Sequence, residues 1–252
     1  MKHTHVSALI TAVALTAAPQ CAGSPSSPES CEGHHVLLVG NSLTYGNSLP
    51  AIVEALADSA GVETLCWGAV AFPDYALEDH WATGEARREI GRGIWEVVVL
   101  QQGPSSLPEN RALLIEYTRR FSEEIRAAGG RPALYMVWPS VSRASDFDAV
   151  SASYAAAAQA VDGMLFPVGE AWRAAWRLDA DIELYAGDGF HPNVTGSYLA
   201  ALVMLQQLYD VPPTGLPAEL SLRGGATLRI PVNTAARLQA AAAEANERFG
   251  RR

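Results

Sequence analysis

The sequence predicts a three-layer α/β/α sandwich, with a mostly parallel, doubly wound, five-stranded sheet of the flavodoxin-like kind. Three observations lead there. Short continuous apolar runs, such as "HHVLLVG" (34–40) and "WEVVVLQQG" (95–103), have the pattern of strands buried on both faces. They alternate with helical segments long enough to carry the chain across to a parallel neighbour. A hydrophobic content of 49% against 18% charged residues supplies a large core, and 252 residues are enough for one full-sized domain.

The elements follow in order. After the first strand, "SLPAIVEALADSAG" (48–61) reads as a helix, with Ser48 as N-cap and Gly61 as its stop. "VETLCWGAV" (62–70) is the second strand and "GEARREIGRG" (84–93) a short polar helix. The third strand, 95–103, leads into "PENRALLIEYTRRFSEEIRAAGG" (108–130), where Leu113, Leu114, Tyr117, Phe121 and Ile125 form an apolar stripe that ends at Gly129-Gly130. "RPALYMVWP" (131–139) is the fourth strand, the alanine-rich 146–163 a helix, and "MLFPVGEAW" (164–172) a short fifth strand. "GSYLAALVMLQQLYD" (196–210) is a further helix. From about residue 211 the character changes: "VPPTGLPAELSLRGG" reads as a loop and 233–249 as a last helix, an appendage (211–252) packed on the 34–210 domain.

Residues 1–33 read as an export signal and a disordered Pro/Ser-rich linker. Lys2 gives a basic start, "VSALITAVALTAA" an apolar run too short to anchor in a bilayer, and "APQCAGSPSSPES" a small-residue exit. The expected location is secreted or periplasmic. Cys21 stands where a lipoprotein's acylated cysteine would, but "APQ" before it is a poor match, so secretion without a lipid anchor at Cys21 is the preferred reading. Of the other two cysteines, Cys66 lies in an apolar strand and is expected as a buried free thiol, with a Cys31–Cys66 disulfide as the alternative. No Cys-x-x-Cys or histidine cluster suggests a metal, and His34-His35 are expected to precede the strand and face solvent. A net charge of −9 without a basic cluster argues against nucleic acid and anionic membranes as partners.

In an open parallel sheet, ligands bind beyond the carboxyl ends of the strands, so the residues there carry the chemistry. Ser42 follows the first strand between Gly40 and Gly46; Gln101 and Gln102 follow the third; Asp188 and His191 precede the 196–210 helix. A serine hydroxyl needs a base, a histidine base needs an orienting partner, and the oxyanion formed needs preorganised N–H donors. Asp188 and His191 at i and i+3 supply orienter and base on one turn, while the Ser42 N–H and an amide from Gln101 or Gln102 are candidate donors. Neither the Gly-x-Ser-x-Gly elbow nor a phosphate-binding Gly-x-x-x-x-Gly-Lys-Ser/Thr loop occurs.

"VLLVGNSLTYG" and "DGFHPNVTGSYLAA" resemble the first and last motif blocks of the SGNH, or GDSL-like, hydrolases, in a subgroup with Gly40-Asn41-Ser42 for the usual Gly-Asp-Ser. "ALEDHW" (76–81) and "VVVLQQG" (97–103) resemble its middle blocks, so the likeness spans about residues 34–210. The resemblance implies a serine esterase or deacylase without cofactor, with Ser42 as nucleophile, His191 as base and Asp188 as its partner. Its substrate would be a small-molecule, carbohydrate or lipid ester. The family's glycine donor maps ambiguously, to Gly68 at the expected end of the second strand or, by register against "ALEDH", to Asp74. Its asparagine donor is missing, which leaves Gln101 or Gln102. His80 is expected to cap a helix or bond a carbonyl rather than reach the rim of the site. The rival reading is a non-catalytic binding protein of the same fold.

Overall fold

The computed structural model describes residues 30–250, so the expected export signal and Cys21 lie outside the described residues. Strands β1 (His34–Gly40), β2 (Leu65–Ala71), β3 (Val97–Leu100), β4 (Arg131–Tyr135) and β5 (Met164–Phe166) form one sheet in the order β2-β1-β3-β4-β5. Every pairing in it is parallel. This is the doubly wound order, and the chain reverses its direction of travel across the sheet between β1 and β3. Val36–Val39 and Val97–Leu100 are buried, as strands covered on both faces must be.

Short helix α1 (Ser42–Tyr45) follows β1 directly, and α2 (Leu49–Ala60) returns the chain to β2. Helices α3 (Leu77–Thr83), α4 (Glu85–Ile90), α5 (Pro108–Ala127) and α6 (Phe147–Ala160) pack together on one face. On the other, α2 joins α7 (Val168–Leu178), α8 (Val194–Tyr209) and α9 (Val232–Phe249). The predicted stripe of α5 holds where it matters: Leu114, Phe121 and Ile125 are fully buried, while Leu113 and Tyr117 sit at its margin. Hairpin β6 (Glu219–Ser221) and β7 (Thr227–Arg229) places Leu220 and Leu228 in the core, and α9 lies against α7 and α8.

Several elements differ from expectation. The fifth strand stops at Phe166, not Trp172, because Pro167 can donate no ladder hydrogen bond and sits at the N-cap of α7. The residues after it, Val168, Ala171, Trp172 and Ala175, recur at helical spacing and are buried together. Helix α3 and the β6–β7 hairpin occupy stretches with no regular element expected, both too short for periodicity to show. Ser48 stands at the N-cap of α2, yet its side chain makes no capping bond, since its backbone is left-handed there (φ 57°). His34 and His35 are the first residues of β1 and half-buried, edge-on to Tyr209 and Trp95. Burial lowers the His34 pKa. Cys66 is no free thiol: it is bonded to Cys31, which ties the segment before β1 to β2.

Candidate active site

Ser42 opens α1 two residues beyond the buried end of β1. Asn41 turns the chain as N-cap, its Oδ1 accepting the Leu43 N–H at 3.1 Å. As the first helical residue, Ser42 has an N–H with no intrahelical partner, which leaves that donor for a ligand. Beneath the turn lies Gln101, fully buried. Its Oε1 accepts the Asn41 N–H at 2.9 Å and the Thr44 hydroxyl at 2.7 Å, and its Nε2 donates to Asn41 Oδ1 at 3.0 Å. Gly40 must be glycine here: a Cβ would stand 2.3 Å from Gln101 Oε1 and from Thr44 Oγ1.

Asp188 and His191 come from the turn before α8. Asp188 Oδ1 accepts the backbone N–H of Phe190 (2.9 Å) and of His191 (3.0 Å), and Oδ2 accepts His191 Nδ1–H at 2.5 Å. The Phe190 N–H, then the imidazole, holds the Asp188 pKa down at about 2. An ionised carboxylate only accepts, so the proton of a neutral ring sits on Nδ1. Nε2 is then an acceptor, 2.9 Å from Ser42 Oγ across 149 residues of sequence. Trp138 Nε1–H holds the turn by donating to Phe190 O at 3.0 Å, and Val141 N–H donates to Gly189 O at 2.9 Å.

Of the expected oxyanion donors, the structure corrects two. Gly68 lies in the middle of β2, paired with Leu37, and not at the strand's end; it is glycine because a Cβ would stand 2.6 Å from the Trp95 ring. Gln101 does not face the cleft either, since both its Nε2 hydrogens are committed, to Asn41 Oδ1 and to Gln102 O (2.6 Å). Gln102 does line the cleft beside Ser42, with one Nε2 hydrogen given to Ser105 Oγ at 2.8 Å. Residues 74–76 also line the cleft, next to Leu77, whose N–H donates to Gln102 Oε1 at 3.1 Å. There the Tyr75 N–H donates to Phe72 O and that of Ala76 to Asp79 Oδ2, which leaves the N–H of Asp74, in a left-handed conformation (φ 60°). Asn41 steadies this wall by donating from Nδ2 to Tyr75 O at 3.0 Å.

His80 is fully buried behind that wall, packed on Phe72 and Tyr75, and its Nε2–H donates to Gly40 O at 2.8 Å. Burial lowers its pKa, and Nδ1 has no partner, both consistent with a neutral ring away from the rim. Sequence reasoning missed Asn47, whose Nδ2 donates to Pro192 O and to Ser197 Oγ, each at 2.9 Å, and so ties the serine turn to the histidine turn. It also missed Asn110 and Phe190 as cleft residues. Phe190 had a signal in its place beside His191; Asn110, on the exposed side of α5, had none. Among the described residues no three His, Cys, Asp or Glu gather to hold a metal, and no helix is long and apolar enough to cross a membrane.

No family profile matches the chain, and no curated protein does. Solved structures do. A protein of Slackia heliotrinireducens assigned to the SGNH hydrolases is 26% identical, with a TM-score of 0.57 over 69% of this chain and 98% of its own. A DUF4886 family protein of Bacteroides uniformis is 19% identical, with a TM-score of 0.71 over 85% of this chain and 95% of its own. A lipase/acylhydrolase of Enterococcus faecalis is 16% identical, with a TM-score of 0.57 over 69% and 94%. The chain has the fold of the SGNH hydrolases.

Proposed function

We propose that this SGNH-fold chain is an exported serine esterase that acts through an acyl-enzyme on Ser42. The observation that carries this reading is the continuous relay Asp188–His191–Ser42, closed by contacts of 2.5 and 2.9 Å at the mouth of a cleft of about 290 Å³. Its structural likeness to hydrolases and a lipase/acylhydrolase supports ester hydrolysis at the family level.

His191 Nε2 takes the Ser42 hydroxyl proton as Oγ attacks the ester carbonyl carbon. The negative charge that develops on the carbonyl oxygen meets the N–H of Ser42, the N–H of Asp74 and the spare Nε2 hydrogen of Gln102. His191 then gives its proton to the leaving alcohol oxygen as the C–O bond breaks. Water attacks the acyl-serine as His191 accepts its proton; His191 then returns the proton to Ser42 Oγ as the acyl C–O bond breaks, and the carboxylic acid departs. Asp188 stays ionised throughout and stabilises the imidazolium. Export is supported by the leader-like start of the sequence and by the Cys31–Cys66 bond, since structural disulfides persist in oxidising compartments.

The test is covalent labelling of the folded protein with a fluorophosphonate, followed by peptide mapping, alongside hydrolysis of p-nitrophenyl acetate. Label on Ser42 and turnover lost in Ser42→Ala are expected. A folded protein that neither labels nor turns over the ester would sink the reading in favour of a non-catalytic binding protein.

A further inference from the structure

The cleft at Ser42 does not end at Phe190. A second cavity of about 330 Å³ shares Pro104, Ser105, Asn110 and Phe190 with the first and extends to Ser140, Arg143 and Asp146. We propose that this second lobe binds the alcohol portion of the ester, and that the alcohol is a neutral, polyhydroxylated group such as a sugar. The proposal rests on the esterase reading and adds to it which substrates the site selects.

The direction of binding follows from the proton. His191 must protonate the leaving oxygen, so the alcohol lies on the His191 side of Ser42. Phe190, the residue before His191, lines both lobes. An alcohol that leaves on that side therefore passes Phe190 into the second lobe. The acyl group is left with the wall at 74–76, beneath the oxyanion donors.

The chemistry of the lobe decides what fits. Asp146 Oδ2 accepts from Ser106 Oγ at 2.9 Å and pairs with Arg143 Nη2 at 2.6 Å. These bonds hold its pKa below the ordinary carboxylate value, the Ser106 hydroxyl foremost. The pair cancels in charge, which favours a neutral ligand over an acid. A guanidinium has five N–H donors, and Arg143 directs one nitrogen at Asp146 and Ser106 and leaves the others at the cavity edge. The Asn110 amide forms no side-chain hydrogen bond to a described residue and adds donors and an acceptor. A ring with its C–H face on Phe190 and hydroxyls on Asn110 and Arg143 would exchange water for these groups at little cost. An alkyl chain would strip them of water and return only about 0.8 kcal/mol per methylene where the wall is apolar.

The wall between the lobes is built stiff. Ser105 holds a left-handed backbone (φ 58°) and is buried, with Oγ accepting from Gln102 and donating to Gly103 O. Tyr154 OH donates to Gln102 O at 2.6 Å behind it. Strain of this kind persists where the surroundings fix a geometry for use.

The experiment compares kcat/KM for a panel of monoacetylated pentoses and hexoses with that for n-hexyl acetate, and takes p-nitrophenyl acetate as the activity reference. The best sugar ester is expected to exceed hexyl acetate at least tenfold. Asn110→Ala and Arg143→Ala should each shrink that ratio about tenfold, with the thermal midpoint held as the fold control. Hydrolysis of p-nitrophenyl acetate combined with a preference for hexyl acetate overturns the inference and leaves the esterase intact. So does a sugar preference that both variants retain. Failure on every ester, with no label on Ser42, overturns the esterase reading itself.

Discussion

On the serine side of the site, Asn41, Thr44 and Gln101 are buried, and each is bonded to at least one of the others. On the histidine side, the Asp188 and His191 side chains keep 51% and 41% of their exposure and are held by one local turn. The turn that carries Ser42 is thus fixed by long-range packing of polar groups with no solvent to fall back on. His191 is oriented by a motif of four residues with its own hydrogen bonds, anchored to the domain by Trp138 and Val141. Damage on the first side should appear in stability as well as rate, whereas damage on the second should appear in rate alone.

The largest effect belongs to the histidine side. His191→Ala should lower kcat by several orders of magnitude, up to about a millionfold, without moving the denaturation midpoint. Asp188→Asn should cost less, because the Phe190 and His191 N–H groups still find an amide oxygen and keep the turn. The double variant should be scarcely worse than His191→Ala, since the two act as one unit. The pH profile separates the roles. The Asp188 pKa is lowered in the fold, so its charge is present above the ordinary carboxylate range and lost only as pH falls toward about 2. A fall in kcat/KM well above pH 2 then reports a group other than this carboxylate. A limb confined to pH 2–3 would overturn that division.

The serine side should respond differently. Gln101→Leu keeps the volume but strips the acceptor from the Asn41 N–H and the Thr44 hydroxyl, both buried. Each unsatisfied group costs about 1–3 kcal/mol, so a loss of roughly 2–6 kcal/mol in urea unfolding is expected, with a fall in kcat as the Ser42 turn loosens. A variant as stable as the parent would mean that water or a shifted Asn41 replaces the amide.

The same contrast explains what could be read from the sequence. Asp188-x-x-His191 is local, and Ser42 follows an unmistakable buried strand, so both stand out without a structure. The buried strands and α5 are legible for the same reason, since their apolar pattern is strong over their own length. Gln101 is not legible in its true place. Whether an amide at a strand end points into the cleft or under the neighbouring strand depends on the β1–β3 register, which no local pattern encodes. Gly68 misleads likewise: it looks like a strand terminus, but β2 runs on to Ala71, and the glycine answers to Trp95 from the loop before β3. Cys66 looked like core and is core, yet its partner lies 35 residues away.

The smallest effect concerns the link between the two sides, and it is the sharpest test of their difference. Asn47 donates both Nδ2 hydrogens, to Pro192 O and to Ser197 Oγ, from a left-handed backbone (φ 52°, ψ 24°). Asn adopts that conformation more readily than other residues with a Cβ, so alanine would confuse lost hydrogen bonds with backbone strain. Asn47→Gly removes the amide and leaves the conformation free of steric cost. Asn47→Asp keeps the shape, but a carboxylate cannot donate to the Pro192 carbonyl. If the link sets the register between Ser42 and His191, both variants should lose about tenfold in kcat, because a displacement well below 1 Å already degrades proton transfer. KM should stay within about twofold, since Asn47 does not line the cleft. A residue that served only the fold would instead lower the denaturation midpoint and leave kcat per folded molecule unchanged. Full kcat in both variants would show that β1 and α8 hold the two turns in register through the core alone.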